Sequence, residues 1–181
     1  VSSFQISGFH RTLSELQDKN VQTQTSFGGN ISVNKQQLHL GINAIHFLFG
    51  LPLKRQDQLY NQFTFQVKQF SNLSIDYSYT FKNLHLFGEA ATDNKFNKAL
   101  VSGALISLDP KVDMSFLYRN ISRSYQSIYT NAFTKNAVPV NETGMYVGIS
   151  IAPSSNFKVD AYVDLYPFPW LKYRVNASSV G

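Results

Sequence analysis

Cysteine is absent from the 181 residues of this chain. Its absence excludes disulfides, thiol nucleophiles and cysteine-ligated metal sites. Charged residues are scarce as well, at 15% of the sequence, against roughly 25% in an ordinary soluble domain. Although 43% of the residues are hydrophobic, no apolar run approaches the roughly 18 residues that a membrane-spanning helix needs. If the chain crosses a membrane, β-strands must therefore make the crossing.

Aromatic residues are plentiful, with 15 Phe and 10 Tyr, whereas Trp occurs once. The mean hydropathy of -0.18 is nevertheless slightly polar, which is expected if apolar and polar residues alternate along the chain. The formal net charge is +5, but the basic residues are scattered and Lys54-Arg55 is their only adjacent pair. Ordinary loop solubility explains this charge better than a surface that binds a polyanion.

A two-residue period of apolar and polar side chains predicts β-strands. In Leu73–Phe81 every odd position is apolar or aromatic and every even position is polar, and Phe157–Leu165 repeats the pattern with three charges on one face. Including Val1–His10 as a further strand, the sequence predicts about nine strands of roughly ten residues, the length of a tilted membrane strand. The remaining strands are predicted in Val112–Phe116, Met145–Ile151, Phe27–Val33, Leu38–Leu48, Leu84–Ala90 and Leu100–Leu108.

The predicted connections alternate between long and short along the whole chain. Such alternation is typical of up-and-down barrels of the bacterial outer membrane, which have short periplasmic turns and long extracellular loops. We therefore expect residues 1–181 to form a single all-β segment, an antiparallel up-and-down transmembrane β-barrel. Within the first long loop, Thr12 and Glu15 have capping-box spacing and predict a helical turn between 12 and 19. The short turns are predicted at 35–37, 82–83, 109–111 and 153–156, and the long loops at 11–24, 50–71, 92–97, 123–142 and 167–181.

The strand count suggests that the sequence is part of a larger barrel. Bacterial single-chain barrels have an even number of strands, so about nine strands would leave one edge exposed in lipid. The chain also ends at Ser178-Ser179-Val180-Gly181 without an aromatic terminal strand. Both features predict that strands of the barrel lie outside this sequence.

In a membrane barrel the apolar face of each strand meets lipid and the polar face lines the lumen. A soluble barrel of the lipocalin type has the same alternation with the apolar face inside, where it binds a small apolar ligand. The loop alternation and the wealth of Phe and Tyr favour the membrane. Predicted lipid-facing residues are Ile75, Tyr77, Tyr79, Val112, Met114, Phe116, Val147, Ile149, Val159 and Val163. Predicted lumen-facing polar residues are Asp76, Ser78, His85, Glu89, Asp113, Arg119, Lys158, Asp160 and Asp164.

No catalytic, cofactor or metal site is predicted. The histidines lack metal-ligand spacing, and no Gly-x-Ser-x-Gly elbow is present. Asp160 and Asp164 share a strand face, but their Cα atoms would lie about 13 Å apart, too far for a catalytic carboxylate pair. We expect these two aspartates to form ion pairs with Lys158 and Arg119.

Two long loops are rich in aromatic residues. Tyr125, Tyr129 and Phe133 follow one another at four-residue spacing, which predicts one face of a short helix. That loop either folds back to plug the barrel or presents a surface for a partner or ligand. Trp170 lies in the second aromatic loop, where Pro167 and Pro169 exclude a regular strand, and it is a further candidate for partner contact.

The segments 117–120, 125–133, 142–146 and 168–174 resemble the barrel region of Bacteroidota helix-hairpin-helix-domain outer-membrane proteins. The resemblance implies an outer-membrane location, with lipid and possible other envelope proteins as partners. In that family a secretion signal and helix-hairpin-helix segments, related to DNA-binding competence proteins, precede the barrel. Neither is found in this sequence, so nucleic acid is expected to bind only through a region not present in this chain. The expected function is a channel, or a membrane anchor within an envelope assembly.

Overall fold

A computed structural model describes residues 12–13, 16, 21–54, 58–64 and 66–172. Within these ranges the chain forms eight β-strands. All eight segments that were predicted within 27–165 are strands, whereas the predicted strand Val1–His10 lies outside the described residues. A short 3-10 helix occupies Leu59–Asn61. The strands are β1 Gln24–Lys35, β2 Leu38–Lys54, β3 Gln66–Phe81, β4 Leu84–Asp93, β5 Lys98–Asp109, β6 Val112–Ile121, β7 Glu142–Ser154 and β8 Phe157–Leu165.

The strands form one sheet in the order β1 to β8, and each neighbouring pair is antiparallel. The prediction of an all-β, antiparallel, up-and-down fold is therefore confirmed. Within the described ranges, β1 and β8 each pair on one side only, so the sheet is open there. No helix in this part of the chain is long and apolar enough to cross a membrane.

Short and long connections lie at opposite ends of the sheet. Two-residue turns at 36–37, 82–83, 110–111 and 155–156 join the strands at one end, and segments 55–65, 94–97 and 122–141 join them at the other. Each short turn falls within its predicted range. The predicted loop 50–71 is wrong at both ends, because β2 continues to Lys54 and β3 begins at Gln66. The register between β2 and β3 shifts between Leu48 and Leu53, and β2 continues beyond this irregularity, past the predicted boundary.

Local chemistry explains the tight turns. Gln36 and Lys82 open their turns with φ of 50° and 53°, in the left-handed region that reverses a chain within two residues. At the third turn the carboxylate of Asp109 accepts the backbone N–H of Lys111 at 3.0 Å. Aspartate favours such turns because its side chain can accept a hydrogen bond from the backbone N–H two residues further along the chain.

The strand register separates polar and apolar residues onto two faces of the sheet. Directly paired residues share a face, and the row that pairs Asp76 with Glu89, Val101 and Arg119 crosses β3 to β6. The predicted lumen-facing residues all lie on the face that contains this row, which we call the polar face. The ten predicted lipid-facing residues all lie on the opposite, apolar face.

Large side chains of the apolar face are exposed. Phe27, Ile31, Ile75 and Val163 are 60%, 77%, 54% and 58% exposed. The main buried cluster instead lies on the polar face near the long-loop end, where Ile128 of segment 122–141 packs against it. This cluster consists of Phe47, Phe49, Leu53 and Phe70.

Segment 122–141, called the covering loop below, is irregular. The helix predicted from Tyr125, Tyr129 and Phe133 is therefore wrong. Tyr125 is buried, whereas Tyr129 and Phe133 are 67% and 50% exposed. The Gln126 carbonyl accepts the Asn72 side-chain amide at 2.9 Å, so sheet contacts replace a helical hydrogen bond at this position. Near the start of the chain, the Leu16 N–H donates to the Thr12 carbonyl at 3.0 Å, as in a helical turn, while Glu15 lies outside the described residues.

Candidate functional site: the polar face and its covering loop

A buried group of charges joins β6, β7 and β8 at the long-loop end of the polar face. The side chain of Arg119 is fully buried, as is that of Glu142, and Arg119 Nε donates to Glu142 Oε1 at 2.5 Å. Arg119 Nη2 donates to Asp164 Oδ1 at 2.8 Å. The expected pairing of Arg119 with Asp164 is therefore present, and Glu142 is an additional partner.

The covering loop supplies the fourth charge. Lys135 Nζ lies 2.9 Å from Asp164 Oδ2, and the backbone N–H of Lys135 donates to Glu142 Oε2 at 2.9 Å. The bond to Asp164 raises the pKa of Lys135 above its ordinary value. We call Arg119, Glu142, Asp164 and Lys135 the ion cluster. Its two positive and two negative charges balance.

Aromatic rings enclose the cations of the ion cluster. The Arg119 guanidinium lies 5.6 Å from the ring centre of Phe133 and 5.9 Å from that of Tyr166. Lys135 Nζ lies 5.0 Å from the Tyr166 ring. These ring contacts are cation–π interactions. They surround a guanidinium whose Nη1 has no hydrogen-bond partner among the described residues. Phe133, predicted as a partner residue, thus packs within the protein and also against Tyr146.

On β1 to β3 the polar face is held by hydrogen bonds among short side chains. The ring of His39 bonds through Nε2 to Asp76 Oδ1 at 2.8 Å and through Nδ1 to Asn34 Oδ1 at 2.6 Å. Asn43 donates to Asp76 Oδ2 at 2.7 Å and accepts from Asn30 at 2.6 Å. We call these five residues the amide ladder.

The other predicted lumen-facing residues are dispersed. His85 bonds to Thr80 Oγ1 at 2.8 Å, and Asp113 accepts the Ser107 hydroxyl at 2.7 Å. Lys158 pairs with Asp160 at 3.2 Å, as expected, but both side chains are more than 60% exposed. Glu89 is exposed, and no hydrogen bond or ion pair engages it in the described part of the chain.

The covering loop and the sheet enclose a recess of about 510 Å³ on the polar face. Tyr125 is buried in its wall, and its hydroxyl accepts a hydrogen bond from Asn72 at 3.3 Å. Tyr129 packs on Phe47, with ring centres 5.8 Å apart, and its hydroxyl donates to Gln24. Side chains that line the recess include Asn43, Phe47, Asn72, Ser74, Glu89, Ala91, Tyr125, Ile128, Tyr129 and Thr130.

Trp170 joins three segments at the long-loop end. Its indole N–H donates to the Leu59 carbonyl at 3.1 Å, and its backbone exchanges two 2.8 Å hydrogen bonds with the Asn141 side chain. The Arg123 guanidinium lies 4.6 Å from the Phe63 ring and 5.3 Å from the Trp170 ring. The predicted partner residue Trp170 is thus half-buried in a contact between loops.

Sequence reasoning missed Glu142, Lys135 and the amide ladder. Glu142 and Lys135 belong to no alternating pattern. Glu142, the first residue of β7, reaches Arg119 through the pairing of β6 with β7, and the return of the covering loop to the sheet brings Lys135 to Asp164. His39 lies on the polar face. Its bond to Asp76 follows from the pairing of β2 with β3, which a sequence period does not specify.

No group of three or more His, Asp or Glu side chains in the described ranges is arranged to hold a metal ion. Comparisons of the chain with protein-family models, with curated proteins and with solved structures found no match.

Proposed function

We propose that this chain forms part or all of a bacterial outer-membrane β-barrel that acts as a narrow channel. The polar face would line the lumen, the apolar face would contact lipid, and the covering loop would constrict the passage. The observation that carries the proposal is the exposure of large apolar side chains on one face of the sheet, on every strand except β4, where Leu84 and Leu86 are half-buried.

Such an exposed face has few explanations in a protein surrounded by water. Soluble monomers rarely expose a continuous apolar patch larger than a few hundred Å². Burial of Phe27, Ile31, Ile75 and Val163 in lipid would remove this exposure without another protein domain. The separation of short turns and long segments at opposite ends supports the same placement. The resemblance to the Bacteroidota family also agrees with it.

Barrel closure would require partners for the free edges of β1 and β8. They could pair with each other, since an eight-stranded barrel is possible, or with further strands. In either arrangement, the covering loop would lie inside the lumen, because it packs on Phe47, Arg119 and Glu142 of the polar face. A loop held there favours a restricted passage over a wide pore.

A membrane anchor within an envelope assembly is the second candidate. It is favoured by the contact among Arg123, Phe63 and Trp170, which ties loops into one surface at the end that would face away from the periplasm. Other envelope proteins would dock there. A soluble lipocalin-like barrel would instead require the apolar face to be the enclosed one, whereas the covering loop packs on the polar face.

The experiment that tests the membrane placement is fractionation of the protein expressed with an outer-membrane signal. We expect it to fractionate with the outer membrane, to resist carbonate extraction and to migrate differently on SDS gels before and after heating. Recovery as a soluble monomer without detergent would contradict the proposal.

A matched pair of variants on β3 tests which face meets lipid. Ile75→Arg places a charge on the apolar face and should cost about 2–4 kcal/mol near the middle of the bilayer, so membrane assembly should fall sharply. Ser78→Arg places the same charge on the polar face of the same strand and should be tolerated. Equal assembly of the two variants would contradict the proposed faces. Conductance in planar bilayers would then distinguish a channel from an anchor.

A further inference from the structure

The recess beneath the covering loop combines an unengaged carboxylate with aromatic rings. Its volume of about 510 Å³ lies within the range of about 300–1,000 Å³ typical of small-molecule sites. Glu89 lies in the wall on β4, while Tyr125 and Tyr129 of the covering loop close the opposite side.

Glu89 is the carboxylate in the wall of this recess, and no hydrogen bond or ion pair engages it among the described residues. Its cross-strand neighbour Asp76 is bonded to His39 and Asn43. The Asp93 carboxylate accepts two backbone N–H groups and the side-chain amide of Asn97. No side chain in the described part of the chain bonds to Glu89, so its charge is available to a ligand.

The two cations of the ion cluster are paired with other carboxylates. Arg119 binds Glu142 and Asp164, and Lys135 binds Asp164. The ion cluster therefore has no net charge to offer Glu89. An anionic ligand in the recess would meet an uncompensated negative charge.

The aromatic side chains add a second element of recognition. Phe47, Tyr125 and Tyr129 line the recess together. Burial, together with the charges of Glu89 and Asp93, raises the pKa of Tyr125 to about 12. Its phenol is therefore neutral at physiological pH and does not add negative charge. Neutral aromatic rings attract a cation through their electron-rich faces, as in sites that recognise quaternary ammonium groups.

We propose that this recess is a binding site for a small organic cation of the quaternary-ammonium type. Glu89 would supply the opposite charge, and Tyr125, Tyr129 and Phe47 would surround the alkyl groups. A neutral sugar could use Asn72 and Ser74, but it would gain nothing from the charge of Glu89. This inference does not depend on the membrane placement, because the recess lies on the polar face in either setting.

The test uses the full chain folded in detergent, with choline as the probe and isothermal titration calorimetry as the measurement. Its uncharged isostere, 3,3-dimethylbutan-1-ol, has the same shape without the positive charge. We expect choline to bind with a Kd in the millimolar range and the isostere to bind at least about tenfold more weakly. Failure of choline to bind in this range, or equal binding of the isostere, would overturn the proposal.

Two variants with the same chemical change locate the site. Glu89→Gln should weaken choline binding by about tenfold or more. Asp113→Asn removes a carboxylate from the same face at a position that does not line the recess, and it should leave binding unchanged within about twofold. Equal affinities of the two variants would overturn the assignment of Glu89, and preferential binding of glucose would overturn the cation specificity.

Tyr129→Leu tests the aromatic contribution separately from the charge. It should weaken choline binding by roughly threefold or more, because the cation loses its contact with the face of one aromatic ring. Gel migration before and after heating confirms that each variant is folded. If the folded wild-type protein fails to bind choline, only the proposed cation site is contradicted. If the protein remains soluble without detergent, the membrane proposal is contradicted instead.

Discussion

The two halves of the polar face use polar residues in different ways. On β6 to β8, Arg119 and Glu142 are buried, and the ion cluster is covered by the loop and by aromatic rings. On β1 to β4, the amide ladder consists mostly of uncharged side chains that remain partly exposed, and Glu89 has no hydrogen-bond or ion-pair partner among the described residues. At the long-loop end, the half on β6 to β8 is closed and electrically balanced, whereas the half on β1 to β4 is open and carries the negative charge of Glu89.

The difference teaches that a polar strand face need not have one role throughout. Charges withdrawn from water must be paired, because a lone buried ion costs several kcal/mol. The ion cluster meets this requirement and thereby holds the covering loop on the sheet. Charges in the open half remain hydrated, so Glu89 can stay unpaired until a ligand arrives. We therefore expect substitutions in the ion cluster to affect stability, and Glu89→Gln to affect binding.

The largest loss of stability should follow Arg119→Leu. Removal of the guanidinium leaves the carboxylates of Glu142 and Asp164 buried with only Lys135 beside them, which should cost about 3–5 kcal/mol. Urea unfolding in detergent, followed by the fluorescence of Trp170, measures the loss. A cost as small as that of an exposed pair would contradict the closed character of this half. The same variant should raise single-channel conductance if the covering loop constricts the lumen.

The next largest loss of stability is expected at one of two glycines that differ in the space around them. A Cβ at position 144 would lie 2.6 Å from Arg119 Cζ, whereas a Cβ at position 29 would meet no atom within 4 Å. Because two carboxylates hold the guanidinium in place, Gly144→Ala should cost about 1–3 kcal/mol. Gly29→Ala should be neutral or stabilise the fold by up to about 1 kcal/mol. Equal unfolding free energies for the two variants would show that the Arg119 side chain is free to shift.

The third effect is a loss of stability at high pH. The Tyr125 phenol has a pKa of about 12 in the fold, raised from 10, so the folded state keeps its proton where the unfolded state has lost it. Its contribution is complete below pH 10 and is lost as the pH rises through 12. We expect a loss on the order of 1–2 kcal/mol. Comparing wild type with Tyr125→Phe at pH 9 and 12 isolates it, and parallel curves would contradict the assignment.

A smaller effect is expected from the open half. Asn43→Ala removes the central member of the amide ladder and its bonds to Asn30 and Asp76. Since water reaches these groups, the cost should be about 1 kcal/mol. Ser32→Ala, on the exposed polar face of β1, is the matched control and should be nearly neutral. A loss comparable to that of Arg119→Leu would mean that the two halves do not differ.

The smallest effect should be that of Lys158→Ala. Lys158 and its partner Asp160 are 62% and 61% exposed, and solvent screens exposed ion pairs so that they contribute little to stability. The midpoint of urea unfolding should therefore be indistinguishable from that of the wild type. Any loss should shrink further as salt is raised, because ions screen exposed charges.

The eight strands within 27–165 and their short turns were predictable because each depends on local information. A two-residue period needs only neighbouring side chains, and a turn such as Asp109-Pro110-Lys111 is set by residues in direct succession. The sorting of residues such as Asp76 and Ile75 onto opposite faces follows from the same period. The covering loop was not predictable in this way, since its spacing of Tyr125, Tyr129 and Phe133 matched a helix that tertiary contacts exclude.

The amino-acid sequence by itself thus determined the strands, their order of connection and the polar or apolar character of each face, because alternation and turn chemistry act over a few residues. Only the tertiary structure decided that Glu142 would meet Arg119 and that Lys135 would meet Asp164. It also decided that Glu89, unpaired among the described residues, would line a recess together with Tyr125 and Tyr129. Those outcomes depend on where a long irregular segment returns to the sheet. That return is selected by the burial and charge pairing of residues far apart in the chain, which no local pattern encodes.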